Sequence, residues 1–420
     1  MERLFMNFSE KRDILLLCAL LFFFLAGESI ILPILAPTLA EPVCDKLDML
    51  ANASKQLHNL AYGAALGVFP VCLFFAAPII GSLSDNYARK PLIIAAVAGA
   101  FLSYILQGVA MQYMLFLPFF AGRAVAGLTT GVDGVIQAYL LDNCSAEKRA
   151  KYLSYTLFAM SIGLFVGPMF AAALIDPHST EPLSWSVPFY MLAAVFIIIL
   201  IPVIYFLPKR SKNALANKKT KLDWLAGIKD LKSSWREVDL RKLSIPFIIV
   251  NAAFGCYMAS SAVWVEKSLG FNMREISLFF SVGGVASFFT YGLFAPKLIG
   301  KFGAQNVAKY SAVLIGVATF AMLVLRMGAL PYVFMAFNFA GISLFYLSCI
   351  DIYSGLVSAQ RRGWMLSVAS SLWGLAQGLG LALSGFICAY IGAFGGMVFC
   401  GIFALFSYYI FPNLTLKERD

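Results

Sequence analysis

The chain reads as long apolar runs separated by short polar connections. Twelve runs stand out, at 13–37, 59–82, 91–110, 114–140, 152–175, 186–207, 243–265, 276–299, 305–327, 330–357, 364–389 and 395–412. A helix that crosses a bilayer needs roughly 20 apolar residues, and these runs match that length. Apolar and polar residues do not alternate with period two, so the lipid-facing strands of a β-barrel are excluded. The pattern predicts an all-α integral membrane protein of twelve transmembrane helices. One polar interval, 208–242, is much longer than the rest and divides the spans six and six. The expected organisation is a six-helix half over 1–207, a linker over 208–242 and a second six-helix half over 243–420. The linker opens with PKRSKNALANKKTK, flexible and solvated. In the following LDWLAGIKDLKSSWREVDL, Leu222, Leu225, Ile228, Leu231, Trp235 and Val238 recur every three or four residues, with Lys229, Lys232 and Arg236 between them. That spacing predicts an amphipathic helix on the membrane surface; a solvated linker is the alternative. The first run is too long for a signal-peptide core and lacks a small-residue cleavage site, so it counts as a retained helix.

Composition supports this class. Of 420 residues, 60% are hydrophobic and 13% charged, about half the charge of a soluble domain. The net charge of +10 changes meaning once mapped on the spans. Almost all lysines and arginines fall on the side of the N-terminus, and only Lys46, Lys55, Lys267, Arg274 and Arg326 fall opposite. That bias places both termini in the cytoplasm. It speaks for lipid rather than nucleic acid as the partner of the basic face. The eight cysteines are scattered, without metal-ligand spacing or a disulfide framework. His58 and His178 are expected in outer loops, so a histidine proton relay within the membrane is excluded. Asn52-Ala53-Ser54, in the outer loop between the first two spans, is a glycosylation acceptor pattern.

Three motifs carry more. Residues 81–91, GSLSDNYARKP, put a carboxylate and two cations into one tight connection. This stretch resembles the loop signature of the major facilitator superfamily, G-x-L-(small)-D-(R)-x-G-R-K, through Gly81, Leu83, Ser84, Asp85, Arg89 and Lys90. It departs at Asn86 and Ala88. Asp85 can pair with Arg89 and face the positive end of a neighbouring helix. In the family that neighbour is the eleventh helix, and the contact locks the halves on the cytoplasmic side. The resemblance therefore implies a conformational latch of Gly81, Asp85 and Arg89; a solvated turn is the alternative. In the fourth run, Arg123 and Gly127 match the family's R-x-x-x-G. A guanidinium within the membrane needs a carboxylate or a water-filled cavity, and Gly127 with Gly131 allows close helix approach. In the fifth run, Gly163, Gly167 and Pro168 resemble the G-x-x-x-G-P-x-x-G-G pattern of proton-driven drug antiporters, with Ala171-Ala172 in place of the last glycines. Pro168 is expected to bend its helix. The connection YLLDNCSAEKRAKYLSY, with Asp142 and Arg149, looks like that of tetracycline-type exporters. In the second half FAPKLIGKFG keeps only Leu298, Lys301 and Gly303 of the latch pattern.

The resemblance implies a secondary carrier working by alternating access, most like proton-coupled exporters of the tetracycline type, in a bacterial inner membrane and as a monomer. Its partners are a small molecule, protons and the bilayer. No phosphate-binding loop is present, so no nucleotide cofactor is expected, and no nucleophile–base set supports an enzyme. Coupling needs a carboxylate that titrates as the cavity changes sides. Glu28 is the first candidate, pairing with Arg123, and Asp133 the second; a structural pair that never titrates is the alternative for Glu28. Asp351 lies at a span end, near Arg361 and Arg362. The family surrounds its substrate with the first, fourth, seventh and tenth helices. Candidates to line that cavity are Arg123, Gln137, Asn251, Asn338, Tyr346, Trp373 and Gln377, although each amide can equally serve a helix–helix hydrogen bond. An importer on the same fold and a non-transporting membrane sensor are the rival readings.

Overall fold

The computed structural model describes residues 8–86, 88–142, 149–176, 178–207, 226–357 and 362–412. Every regular element among them is helical, as hydrocarbon requires of a chain that must satisfy its backbone internally. In order the helices are α1 (Phe8–Ser29), α2 (Ile31–Leu35), α3 (Lys55–Asn86), α4 (Arg89–Gln112), α5 (Phe116–Thr130), α6 (Asp133–Asp142), α7 (Arg149–Leu174), α8 (Pro182–Phe206), α9 (Ala226–Arg236), α10 (Val238–Leu269), α11 (Met273–Phe289), α12 (Ala295–Phe302), α13 (Ala304–Val324), α14 (Leu330–Leu356), α15 (Arg362–Tyr390) and α16 (Ala393–Ile410). Within the described residues the predicted amphipathic segment appears as α9, with Val238 opening α10; its part before residue 226 lies outside the described residues.

Eleven described spans are long and apolar enough to cross a membrane. The run predicted at 114–140 is not one continuous helix but two, α5 and α6. Thr129 and Thr130 both donate their hydroxyls to the Ala126 carbonyl, each at 2.9 Å. Such back-bonding weakens a helix, and Gly131 and Gly134 have low helical propensity. The chain turns through Gly131 and Val132 and restarts at Asp133. The first run is interrupted too. Pro33 has no N–H to offer the Ser29 carbonyl, and α1 stops at Ser29. After α2, a π-helical turn spans Ala36–Ala40. By contrast, α7 continues through Pro168.

Among the helices before residue 207, α1 packs on α7, α4 on α8 and α3 on α5; from 238 onward, α10 packs on α15 and α16, and α13 on α14. The two most extensive crossings between the sets are α3 with α15 and α7 with α11; α2 also meets α10 and α11. Glycine makes the first crossing close. A Cβ added at Gly63 would lie 2.6 Å from the Gly385 backbone, and one at Gly67 would lie 2.7 Å from the Gly378 carbonyl oxygen. Tyr62 donates across the crossing to the Ala259 carbonyl at 3.1 Å. At the second, Ser281 donates to the Phe165 carbonyl at 3.0 Å, and Phe158 meets Phe288 with centroids 5.2 Å apart. On the face assigned to the outside by the charge pattern, Glu41 joins Lys55 at 3.2 Å and Lys267 at 3.0 Å. The connection from α10 to α11 is equally defined. Gly270 stops α10 at φ +69°, and Asn272 with Glu275 forms a capping box on α11.

The glycine crossing makes a testable contrast. Gly63→Ala forces apart backbones that have no flexible group to yield, and should destabilise the solubilised protein by about 1–3 kcal/mol. Gly81→Ala adds a methyl where no atom lies within 4 Å and should leave stability unchanged. Thermal unfolding of the two variants in detergent checks both.

Candidate functional site

Glu28 lies in the last turn of α1, beside the interruption that Pro33 imposes, and is half-buried. Two features place it. A Cβ at Gly27 would overlap the Tyr104 hydroxyl, so the ring of Tyr104 lies directly against this turn, stacked on Phe196 at 5.4 Å. From the other side, Gly163 and Gly167 of α7 close on α1. A Cβ at Gly163 would meet the Phe22 carbonyl, and one at Gly167 the Ser29 hydroxyl and the Ala26 carbonyl. Ser29 donates to the Ala26 carbonyl at 3.2 Å and to that of Gly163 at 3.3 Å. The glycines singled out in the fifth run are therefore the seat of the helix that carries Glu28.

Arg123, in α5, is 3% exposed. Its Nε donates to the Ala65 carbonyl of α3 at 3.2 Å, and its guanidinium sits 4.8 Å from the centroid of the Phe69 ring. One turn on, a Cβ at Gly127 would meet the Phe69 carbonyl, and one at Gly131 the backbone at Ala77. The expected direct pair with Glu28 is not formed: Arg123 makes no ion pair within 4.0 Å among the described residues. It faces α3 instead, where a carbonyl and an aromatic ring receive it. Glu28, Arg123 and Tyr104 still act on one another electrostatically.

Asp133 begins α6 at the break in the fourth run. Its Oδ1 is buried without a hydrogen-bond partner, and Glu28 acts on it through space. Glu28 and Asp133 thus both stand at interruptions of their helices, and Arg123 acts on Glu28 without forming an ion pair with it. A carboxyl so placed can take and give a proton without first breaking an ion pair.

The remaining candidates separate. Gln137 contacts the Met160 sulfur at 3.6 Å. Asn251, in α10, gives its amide to the Phe247 carbonyl at 2.8 Å and leaves Oδ1 buried and unpartnered. Gln377 abuts Gly255 where α15 crosses α10. Tyr346 and Trp373 pack edge to face at 6.5 Å, both half-buried. Asn338 is fully buried and spends its amide within its own bundle, accepting from Thr319 at 2.9 Å and donating to Phe334 at 3.0 Å. In the proposed latch, Gly81 has open space around it, Arg89 opens α4, and the Asp85 side chain lies outside the described residues. Lys90 donates to the carbonyls of Ile204 and Leu207, both at 2.6 Å, closing the C-terminal end of α8. Asp142 and Arg149 lie at helix ends whose side chains are outside the described residues.

Two groups escape the sequence reading. His58 is not in a loop. It lies in the first turn of α3, buried, with Nε2 2.9 Å from Asp48 and Nδ1 3.1 Å from the Ser54 carbonyl. Glu266 was placed just beyond a span ending at 265, whereas α10 carries it inside the helix. Gly270 was the signal for the true end. Among the described residues no group of three or more His, Cys, Asp or Glu is arranged to hold a metal.

Comparisons with known proteins follow the same lines. The Major Facilitator Superfamily profile matches residues 17–363. The chain is 26% identical over 384 residues to the class B tetracycline resistance protein of Escherichia coli, covering 90% of this chain and 85% of that one. Among solved structures, the human organic anion transporter MFSD10 (TETRAN) matches with TM-score 0.67 at 19% identity, covering 96% of this chain and 99% of that one. A D-xylose-proton symporter matches with TM-score 0.73 at 17% identity, covering 96% of each chain. At such identities the structures speak for the fold alone. The profile match together with the helical architecture makes this chain a multi-pass membrane protein of the Major Facilitator Superfamily.

Proposed function

We propose that the chain is a secondary active transporter that exports a small molecule in exchange for protons. The halves 1–207 and 243–420, joined by 208–242, rock about the site by alternating access. The observation that carries this reading is the placement of Glu28 and Asp133 at two helix interruptions, where they act on one another through space and Arg123 acts on Glu28. Glu28 is the coupling carboxylate. It accepts a proton when the site faces the acidic side and yields it when the site faces the other. Asp133 relays the proton or holds a cationic group of the cargo. Asn251, whose Oδ1 lacks a donor, together with Tyr346, Trp373, Gln137 and Gln377, offers contacts to the substrate.

Several features support the scheme. Both crossings lie in the outer half or mid-depth of the bundle, which fits a state closed to the outside. Gly81, Asp85 and Arg89 form the conformational latch on the opposite face. The likeness to a tetracycline resistance protein favours export, and carriers of this family are not enzymes. The working unit is a monomer in a bacterial inner membrane, with no nucleic-acid partner. The second reading is proton-driven import, favoured by the fold shared with a D-xylose-proton symporter, because a carboxylate free of an ion pair serves symport equally.

Inverted membrane vesicles with an acidic interior test the assignment. A panel of amphiphilic drugs and metabolites is added singly while a pH-sensitive dye follows the lumen. One compound should release protons from the parent, and Glu28→Gln should abolish the release. Silence across the panel, with proton-driven uptake by whole cells, favours import. Gly167→Val should displace α1 at a cost of about 1–3 kcal/mol and lower exchange in the same assay, normalised to protein. Ala171→Gly, which restores one of the two missing glycines of the antiporter pattern, should retain it.

A further inference from the structure

The outer end of α10 holds a carboxylate that this coupling scheme does not use. Glu266 lies in the last turn of the helix, four residues before the left-handed Gly270 that ends it. A helix C-terminus carries partial negative charge. Glu266 is half-buried; its Oε2 is buried and has no hydrogen-bond partner among the described residues. The neighbouring donors are committed elsewhere. Lys267 and Lys55 both pair with Glu41 Oε1, at 3.0 and 3.2 Å. Tyr62, which faces Glu266 from α3, donates to the Ala259 carbonyl at 3.1 Å. Arg326 sits over the Trp264 ring at 5.5 Å and donates to the Leu323 carbonyl at 2.8 Å. From α15 comes only a thiol, Cys388, 3.6 Å from Ser260. The remaining charge that acts on Glu266 is a second carboxylate, Glu41.

An ionised Glu266 would thus keep one oxygen out of water without a donor, beside a like charge and at the negative end of a helix. A neutral carboxylic acid avoids all three costs. The surroundings are assembled from both halves: Glu41, Lys55 and Tyr62 come from the first, Glu266 and Lys267 from the second. They come together only while the outer ends are closed. We propose that Glu266 is a second proton site of the carrier, protonated when the outer ends of the halves close and ionised when they part. Closure takes a proton from the outer aqueous side onto the carboxylate, and opening returns it to the same side. Acid outside therefore drives the carrier toward its inward-facing state. The proposal rests on the proton-coupled reading above and adds a gate to it.

The sign follows from linkage. The closed state binds one proton more than the open state, so it is favoured at low pH and lost as pH rises. For one linked proton the open fraction increases by up to about tenfold per pH unit, until the closed-state group itself ionises.

Hydrogen–deuterium exchange of the full-length protein in lipid nanodiscs reads this directly. Protection of peptides covering 41–66 and 259–270 is followed across a pH series and corrected for intrinsic exchange. The parent should lose protection by up to about tenfold per pH unit. Glu266→Gln, a neutral isostere, should stay closed with a flat profile; Glu266→Met serves if the glutamine variant does not accumulate. The parent slope should persist in Glu28→Gln, which separates this gate from the coupling carboxylate. Equal slopes in the parent and the Glu266 variants would overturn the proposal. So would a slope that survives in Glu266→Gln and vanishes in Glu28→Gln.

Discussion

A guanidinium inside the bilayer is the constraint around which the first half is arranged. Leaving Arg123 unsolvated costs several kcal/mol, so the protein must bring acceptors to it. It does so with α3, through the Ala65 carbonyl and the Phe69 ring. That contact requires α3 and α5 to approach closely, which Gly127 and Gly131 permit. The same α3, one face further round, carries Gly63 and Gly67 into the crossing with α15. One helix is thereby held on one side by a buried cation and on the other by the second half of the molecule.

The carboxylates obey a different rule. A continuous helix consumes its own backbone groups and has nothing to offer a charge. An interrupted one leaves N–H and C=O groups free, and membrane proteins tolerate such backbone only where protein or water receives it. Glu28 and Asp133 both sit at such places, one through Pro33 and the other through two threonines and a glycine. Arg123, committed to α3, acts on Glu28 from a distance without locking it. A direct Glu28–Arg123 pair would have been harder to reverse, because parting a buried pair exposes an uncompensated charge.

Much of this was legible in the sequence, and the exceptions have physical reasons. Span lengths follow from the bilayer thickness, so the apolar runs marked the helices well. The family motifs located Arg123 and the α7 glycines, because their job is backbone proximity and only small residues allow it. The break at Gly131 was less visible. Threonine is common in membrane helices, and only the shared use of the Ala126 carbonyl shows that Thr129 and Thr130 end one here. Neutral amides were ambiguous for the reason the structure displays. Asn338 found partners in its own bundle, while Asn251 kept an oxygen free, and nothing in their local sequences distinguishes them. Glu266 was misplaced because hydropathy falls at a charged residue even where the helix continues.

The way the two halves meet bears on how they can part. Their described contacts are mostly glycine-mediated backbone approach and aromatic packing, with few polar ties. Tyr62 to Ala259 and Ser281 to Phe165 are single hydrogen bonds, each worth about 0.5–1.5 kcal/mol net. Lys267 to Glu41 is partly exposed, and such pairs contribute about 0–1 kcal/mol. Dispersion across close-packed backbones is lost smoothly as surfaces slide and leaves no stranded charge. An interface built this way is stable enough to define a closed state. Under the proposed alternating access it is also weak enough for one proton or one bound molecule to change which state prevails, since a shift from 1:99 to 99:1 needs only about 5.5 kcal/mol of differential binding. Had the crossings relied on buried ion pairs, each turnover would have exposed several uncompensated charges, and a single proton could not have offset them.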